Sequence, residues 1–307
     1  MDVQLAGRPV VVGADGSESS TQAVLWAARE ARRRRAPLRL VQAVDPMTPV
    51  YGYGHPQFGL DLHQIRVRGA HAHLADAARA AAEEAPGTVV EQEVLDGSPV
   101  LRLVGESRSA QLVVVGDRGR GGVGGLLLGS VAVALAAKSA CPVSVVRGRA
   151  IASGGPVVVG VDGTPVSEAA LAWAFEAADA RSTDLVAVYA WRDLLSDQRT
   201  PPDSAIEQQA RAELAERLAG WCGKYPDVQV RRVLVRDAPA RAIVEQSVTA
   251  QLVVVGSHGR GGLGRLLLGS VSNAVLHRAD CPVVVVRGPG RPSRAAEFRH
   301  HASVESS

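Results

Sequence analysis

The chain has 307 residues, 46% of them hydrophobic and 21% charged, with a formal net charge of +3. That length suits about two domains that each bury a core, and so small a net charge offers no electrostatic case for a nucleic-acid partner. A run of about 18 apolar residues is missing, as is a basic-then-apolar leader, so a cytoplasmic chain without membrane insertion is expected, with Cys141, Cys222 and Cys281 reduced and buried.

Val10 to Val12 is a β-branched run ended by Gly13-Ala14-Asp15-Gly16, and Ser17 to Arg35 carries Ala23, Val24, Ala27, Ala28 and Ala31 at helical spacing. A strand followed by a capped helix is expected there. Pro37 ends the helix, Leu38 to Val44 reads as a second strand, and Pro46 to Gly59 as a loop. Asp61 to Ala85 has the length and alanine content of a helix. Thr88 to Leu95 is a third strand, polar enough to lie near a sheet edge, and Pro99 suits the start of a helix over Val100 to Ser109. Leu112 to Val115 is wholly apolar, hence a central strand; a glycine-rich loop, a helix from Ser130 to Ser139 and a last strand, Val143 to Val146, complete the series. Strands at Val157 to Val161, Leu185 to Ala190, Val228 to Val235, Leu252 to Val255 and Val283 to Val286 then repeat the order.

This alternation predicts an α/β fold of parallel sheets covered by helices on both faces. The repetition is also literal. Leu112 to Ser130 returns almost unchanged as Leu252 to Ser270, while Asp15, Trp26 and Val41 recur as Asp162, Trp173 and Val188. Two long copies argue for tandem globular domains and against a solenoid, whose units run to roughly 20 to 50 residues. The expected division is residues 1–148 and 155–288, with a linker over Arg147 to Gly155 and a flexible polar tail at 289–307.

Ligands of open parallel sheets bind beyond the carboxyl ends of strands, where the winding reverses. If the first strand neighbours the fourth, Asp15 faces the glycine loop, and a carboxylate there suits ribose hydroxyls or a base amine while bare backbone N–H groups suit phosphates. Ser130 is expected to cap the following helix and offer its hydroxyl to the anion. Asp162, Gly256, Gly259, Gly269 and Ser270 repeat this placement.

On these residues the chain resembles the tandem universal stress proteins of the ATP-binding subclass. The family's G-x-x-G, nine residues, G-S/T motif fits Gly116, Gly119, Gly129 and Ser130, and again Gly256, Gly259, Gly269 and Ser270; its first-strand aspartate fits Asp15 after Gly13, and Asp162 after Gly160. The resemblance implies two doubly wound, Rossmann-like domains of the adenine nucleotide α-hydrolase type, each a five-stranded parallel sheet of order 3-2-1-4-5. It further implies ATP, with Mg²⁺, between strands one and four, with adenine contacts from Ala43 and Ala190. Loop contacts would come from Arg120, Gly121, Gly122 and Val131, and from Arg260, Gly261, Gly262 and Val271. The terminal strands of the two domains would pair antiparallel, with a homodimer and a regulatory protein partner as further expectations. One departure stands out: the second copy reads Gly256-Ser-His-Gly259, the first Gly116-Asp-Arg-Gly119. A carboxylate at Asp117 would repel phosphates unless Mg²⁺ or Arg118 and Arg120 offset it, so the second site is expected to bind at least as tightly as the first.

Competing motifs are weaker. Gly119 to Gly124 also satisfies G-x-G-x-x-G, but no acid ends the next strand, and the absence of Lys before Ser130 or Ser270 excludes a Walker loop. Asp15 also suits a plain turn. His71 and His73, two apart on a helix, point to different faces and are read as solvated; the first copy has Arg118 at the position of His258, which argues against a shared catalytic role. The Arg32 to Arg35 run is read as a solvated helix end and the two tryptophans as packing residues. Three functions stay open: a nucleotide-dependent regulator of stress adaptation or growth, a slow ATPase or phosphotransferase, and an interaction scaffold with vestigial sites. No catalytic residue is assigned.

Overall fold

A computed structural model describes residues 7–45, 56–119, 128–147, 154–191, 203–236, 238–259 and 268–288. The expected tail at 289–307 and the loop residues Arg120, Gly121, Gly122, Arg260, Gly261 and Gly262 lie outside the described residues.

The first half runs β1 (Val10–Gly13), α1 (Glu18–Arg34), β2 (Leu38–Val44), α2 (Pro56–Glu84), β3 (Val90–Asp96), α3 (Pro99–Glu106), β4 (Leu112–Gly116), α4 (Ser130–Lys138) and β5 (Val143–Val146). The second runs β6 (Val157–Val161), α5 (Pro165–Asp179), β7 (Leu185–Trp191), α6 (Asp203–Lys224), β8 (Val230–Arg236), α7 (Pro239–Ser247), β9 (Leu252–Gly256), α8 (Ser270–Arg278) and β10 (Val283–Val286). Local chemistry sets the entries to the long helices: the Ser17 hydroxyl accepts from the Ser20 N–H, and the Thr164 hydroxyl from the Ser167 N–H, each at 3.2 Å. Arg35, in the left-handed region at φ 51°, ends α1. Helix α2 starts at Pro56, inside the segment expected to be loop.

The strands form one ten-stranded sheet of order β3-β2-β1-β4-β5-β10-β9-β6-β7-β8. Every neighbouring pair is parallel except β5 with β10, which run antiparallel with Val283 opposite Val145 and Val285 opposite Val143. Each half therefore has the order 3-2-1-4-5. Polar β3 and β8 take the two edges, where Glu91, Gln92, Arg231 and Arg232 are exposed. The valine runs of β1, β4, β6 and β9 are buried on both sides. Helices α1, α2, α5 and α6 share one core, centred on Trp26, Leu74, Leu171 and Phe175. The other face packs α3, α4, α7 and α8 through Leu103, Leu135, Ile243 and Leu276.

Among the described residues, side chains also join the halves besides the β5–β10 pairing. Arg147, expected in the linker, instead reaches across: its Nη1 donates to the Leu276 carbonyl in the last turn of α8. Arg287 returns the contact, donating to the Ala137 carbonyl near the end of α4. Burial lowers the pKa of both guanidinium groups from the ordinary arginine value. On the α1/α5 side, Glu30, with a side chain only 1% exposed, takes Arg34 Nε on one oxygen at 2.6 Å and Arg181 Nη2 on the other at 2.5 Å. The guanidinium of Arg34 also lies 4.7 Å from the Trp173 ring centre. The Arg32 to Arg35 run is thus not simply a solvated helix end, because the partner half covers Arg34.

Candidate functional site

The winding reverses between β1 and β4, and again between β6 and β9, so each half has one crevice at the carboxyl ends of those strands. Asp15 leaves β1 in a tight turn. Its Oδ1 accepts from the Ser17 N–H at 3.0 Å and the Ser17 hydroxyl at 2.6 Å. The turn role and the facing role coexist, because the other oxygen points across the crevice: a Cβ on Gly119 would stand 2.6 Å from Asp15 Oδ2. The second half repeats this. Asp162 Oδ1 accepts from the Thr164 N–H and hydroxyl at 3.0 and 2.7 Å, and a Cβ on Gly259 would stand 2.8 Å from Asp162 Oδ2. A side chain at either glycine would force the facing carboxylate to shift, so glycine lets each aspartate approach the loop closely.

The loop is pinned at both ends. The Gly129 N–H donates to the Asp117 carbonyl at 2.7 Å, and the Gly269 N–H to the Ser257 carbonyl at 2.8 Å. Gly129 and Gly269, in extended conformation, are the N-caps of α4 and α8, and neither supplies a side-chain cap. Ser130 and Ser270 are therefore corrected from capping residues to first helical residues, both exposed. The physical reason is that a glycine cap leaves the first-turn N–H groups without a side-chain acceptor, a geometry that favours an anion.

Other expected residues fall in several places. Gly116 packs directly on Ser19 of α1, and Gly256 on Val166 of α5. At Gly13 the space of a Cβ is taken by Leu103 and Val115, and at Gly160 by Ile243, so these glycines admit α3 and α7 onto the sheet. Ala43 and Ala190, near the ends of β2 and β7, are half-buried opposite Leu95 and Val235. Val131 and Val271 pack against the second core.

Asp117 turns towards α1. It is buried, and its Oδ1 accepts from the Ser19 hydroxyl at 2.7 Å while Oδ2 lies 3.7 Å from Arg118 Nε. Its counterpart Ser257 is also buried, with its hydroxyl 3.0 Å from His258 Nδ1. His73 is corrected as well. Instead of facing solvent it lies under the Asp15 turn, with Nδ1 3.0 Å from the position of a Gly16 Cβ, whereas His71 is exposed. Arg217 occupies the equivalent place under Gly163 and pairs with Glu168 at 2.6 Å. Sequence pattern missed Ser19, His73 and Arg217 because helix periodicity does not say which turn a helix crosses; the positive φ of Gly16 and Gly163, at 78° and 80°, is the local signal of such close passage.

Fold and crevices together define a tandem doubly wound α/β protein with an aspartate opposed to a glycine loop in each half. A model of the Universal stress protein family matches residues 7–147 and 155–287. Among curated relatives, a universal stress protein of Mycobacterium tuberculosis strain H37Rv is 44% identical over 284 residues, covering 91% of this chain and 96% of the relative. One from Mycolicibacterium smegmatis is 42% identical over 285 residues, with the same two coverages. The crystal structure of a universal stress protein from Archaeoglobus fulgidus superposes with a TM-score of 0.69 at 19% identity, over 92% of this chain and all of that one, a likeness of fold. The chain belongs to the universal stress protein family.

Proposed function

We propose that each half binds ATP, and that occupancy of the two sites regulates stress adaptation or growth through a protein partner. The observation that carries this reading is the opposition of Asp15 to Gly119, repeated in Asp162 and Gly259. A carboxylate held across a crevice from a side-chain-free loop is suited to ribose hydroxyls or a base amine on one side and phosphates on the other. Two features fit a phosphate chain: the cradles that a Cβ would fill, and the helix starts at Ser130 and Ser270 that lack a side-chain cap.

Mg²⁺ would arrive on the nucleotide. Among the described residues no cluster of three metal-ligating side chains exists, and Mg²⁺ commonly takes one or two carboxylates beside phosphate oxygens and water. Among those residues no helix is long and apolar enough to cross a membrane; a cytoplasmic location, where ATP is available, belongs to the same proposal.

The test is the nucleotide content of freshly purified protein, released by denaturation and resolved by ion exchange with mass detection. Two ATP per chain is the expected result, falling to one in Gly119→Leu or in Gly259→Leu and to none in the double variant. ADP alone would move the assignment to hydrolysis. No nucleotide released, and none taken up on adding Mg-ATP, would overturn it.

A further inference from the structure

Between the halves, with none of the described glycine-loop residues in its lining, lies a cavity of about 520 Å³. Small-molecule sites commonly measure about 300 to 1,000 Å³. Among the described residues its charged lining consists of Arg29 and Arg33 from α1 and Arg181 from just beyond α5, with no carboxylate. A neighbouring cavity of about 200 Å³ shares Arg33 and Arg181 but balances its charges, with Glu30, Glu176 and Asp179 set against three arginines. The imbalance therefore belongs to one side of the junction.

Sequence accounts for the difference. The halves repeat at an offset that puts Glu176 where Arg29 stands and Ala180 where Arg33 stands. Only one combination of helix ends collects guanidinium groups. Arg29 has a partner in Glu84 at 2.5 Å. Glu30, however, spends one oxygen on Arg34 and the other on Arg181, and Arg33 is left 3.8 Å away, beyond hydrogen-bond length. Arg33 remains one-third exposed. Burial, reinforced by the like charges of Arg181 and Arg29 and opposed by Glu30, lowers its pKa from the ordinary arginine value. Of the three guanidinium groups around Glu30, Arg33 and Arg181 line this cavity, and Arg181 also donates Nη1 to the Ala177 carbonyl at 3.1 Å, so the surplus positive charge that faces this space of ligand size rests on Arg33.

We infer that this cavity is an anion site at the junction of the two halves, taking one compact phosphate-bearing small molecule, bound through Arg33 with Arg181 and Arg29. Planar guanidinium groups from two sides suit a dianionic phosphate better than a single carboxylate, since each offers paired N–H donors. Because Arg29 and Arg33 come from the first half and Arg181 from the second, the ligand bridges both and tightens the junction by binding only the assembled form.

The test is calorimetric titration of the full chain with pyrophosphate at matched ionic strength, repeated with inorganic phosphate and with glucose 6-phosphate to distinguish free phosphate from a phosphate ester. One site per chain is expected, with a rise in Tm. Arg33→Glu should weaken binding by about tenfold or more, as loss of a charge-assisted contact implies, and Arg33→Gln, which keeps a polar side chain, should weaken it less. The Gly119→Leu/Gly259→Leu double variant should retain the site, so the inference stands or falls separately from the nucleotide proposal. Equal affinity in wild type and both Arg33 variants would overturn it. So would loss of binding in the loop double variant, which would place the anion in the glycine loops, or no binding by the wild type.

Discussion

Replacing Glu30 by Gln tests whether the charge cluster between α1 and α5 holds the halves together. The side chain is 1% exposed, its two oxygens are taken by Arg34 and Arg181, and Arg181 is itself only 4% exposed. Burial alone would raise the carboxyl pKa, but Arg181 and Arg34 outweigh it, with Arg33 contributing, and bring it from the ordinary 4.5 down to about 2. At about 1.4 kcal/mol per unit, that shift corresponds to about 3 kcal/mol of stability carried by the ionised form. Glutamine keeps the shape but leaves the largely covered guanidinium groups of Arg34 and Arg181 without their carboxylate, so a loss of about 3 kcal/mol is expected, in line with removal of one partner from a buried pair. Urea unfolding of wild type and Glu30→Gln at several pH values reads this directly. The folded pKa is depressed, so the contribution is complete above pH 4.5 and is lost as pH falls towards 2. The two proteins should therefore differ fully at neutral pH and converge near pH 2. A gap below about 1 kcal/mol at pH 7, or one that does not narrow in acid, would refute the reasoning.

Arg147→Met and Arg287→Met each remove a charged donor from a carbonyl at the end of the opposite half's helix. Each should cost about 1.5 to 3 kcal/mol in thermal or urea unfolding, and an unchanged Tm in both would show that the clasp is idle. Ser144 is fully buried on β5, its hydroxyl has no hydrogen-bond partner among the described residues, and it stands opposite Val284 on β10. The second half has Val284 at the same repeat position, so Ser144→Val should raise stability by about 1 kcal/mol; a lower Tm would count against an unpaired hydroxyl there. Burial pushes the Cys141 and Cys281 thiols up to about 12, while Cys222 is only half-buried. A thiol reagent at pH 8 should modify Cys222 alone until the protein unfolds, and rapid loss of all three thiols in the native state would contradict the burial.

Much of the fold was legible because its signals are local. Valine runs such as Leu112 to Val115 and Leu252 to Val255 read as central strands, since a short β-branched apolar run suits a strand buried on both faces, and they occupy central places in the sheet. The polar third strand went to the edge for the converse reason. Within the candidate site, the recurrence of Asp15 with Gly119 as Asp162 with Gly259 marked residues that the fold brings face to face. Less legible was the direction of individual side chains. Asp117 accepts from Ser19 of α1, a partner that its own loop does not announce; Ser130 looked like a cap and follows one.

Sequence by itself determined the repeat, the alternation of strand and helix, and the glycine positions where backbone must pass close to another group, because each is written in neighbouring residues and their period. Tertiary structure alone decided what lies at the junction. Nothing within α1 announces that Glu30 will meet Arg181, that Arg34 will cover Trp173, or that Arg29 and Arg33 will face a cavity closed by the other half. Those residues lie about half the chain apart, and their pairing follows from the antiparallel meeting of β5 and β10. Burial then sets their energetics: the same charges in water would be weakly coupled.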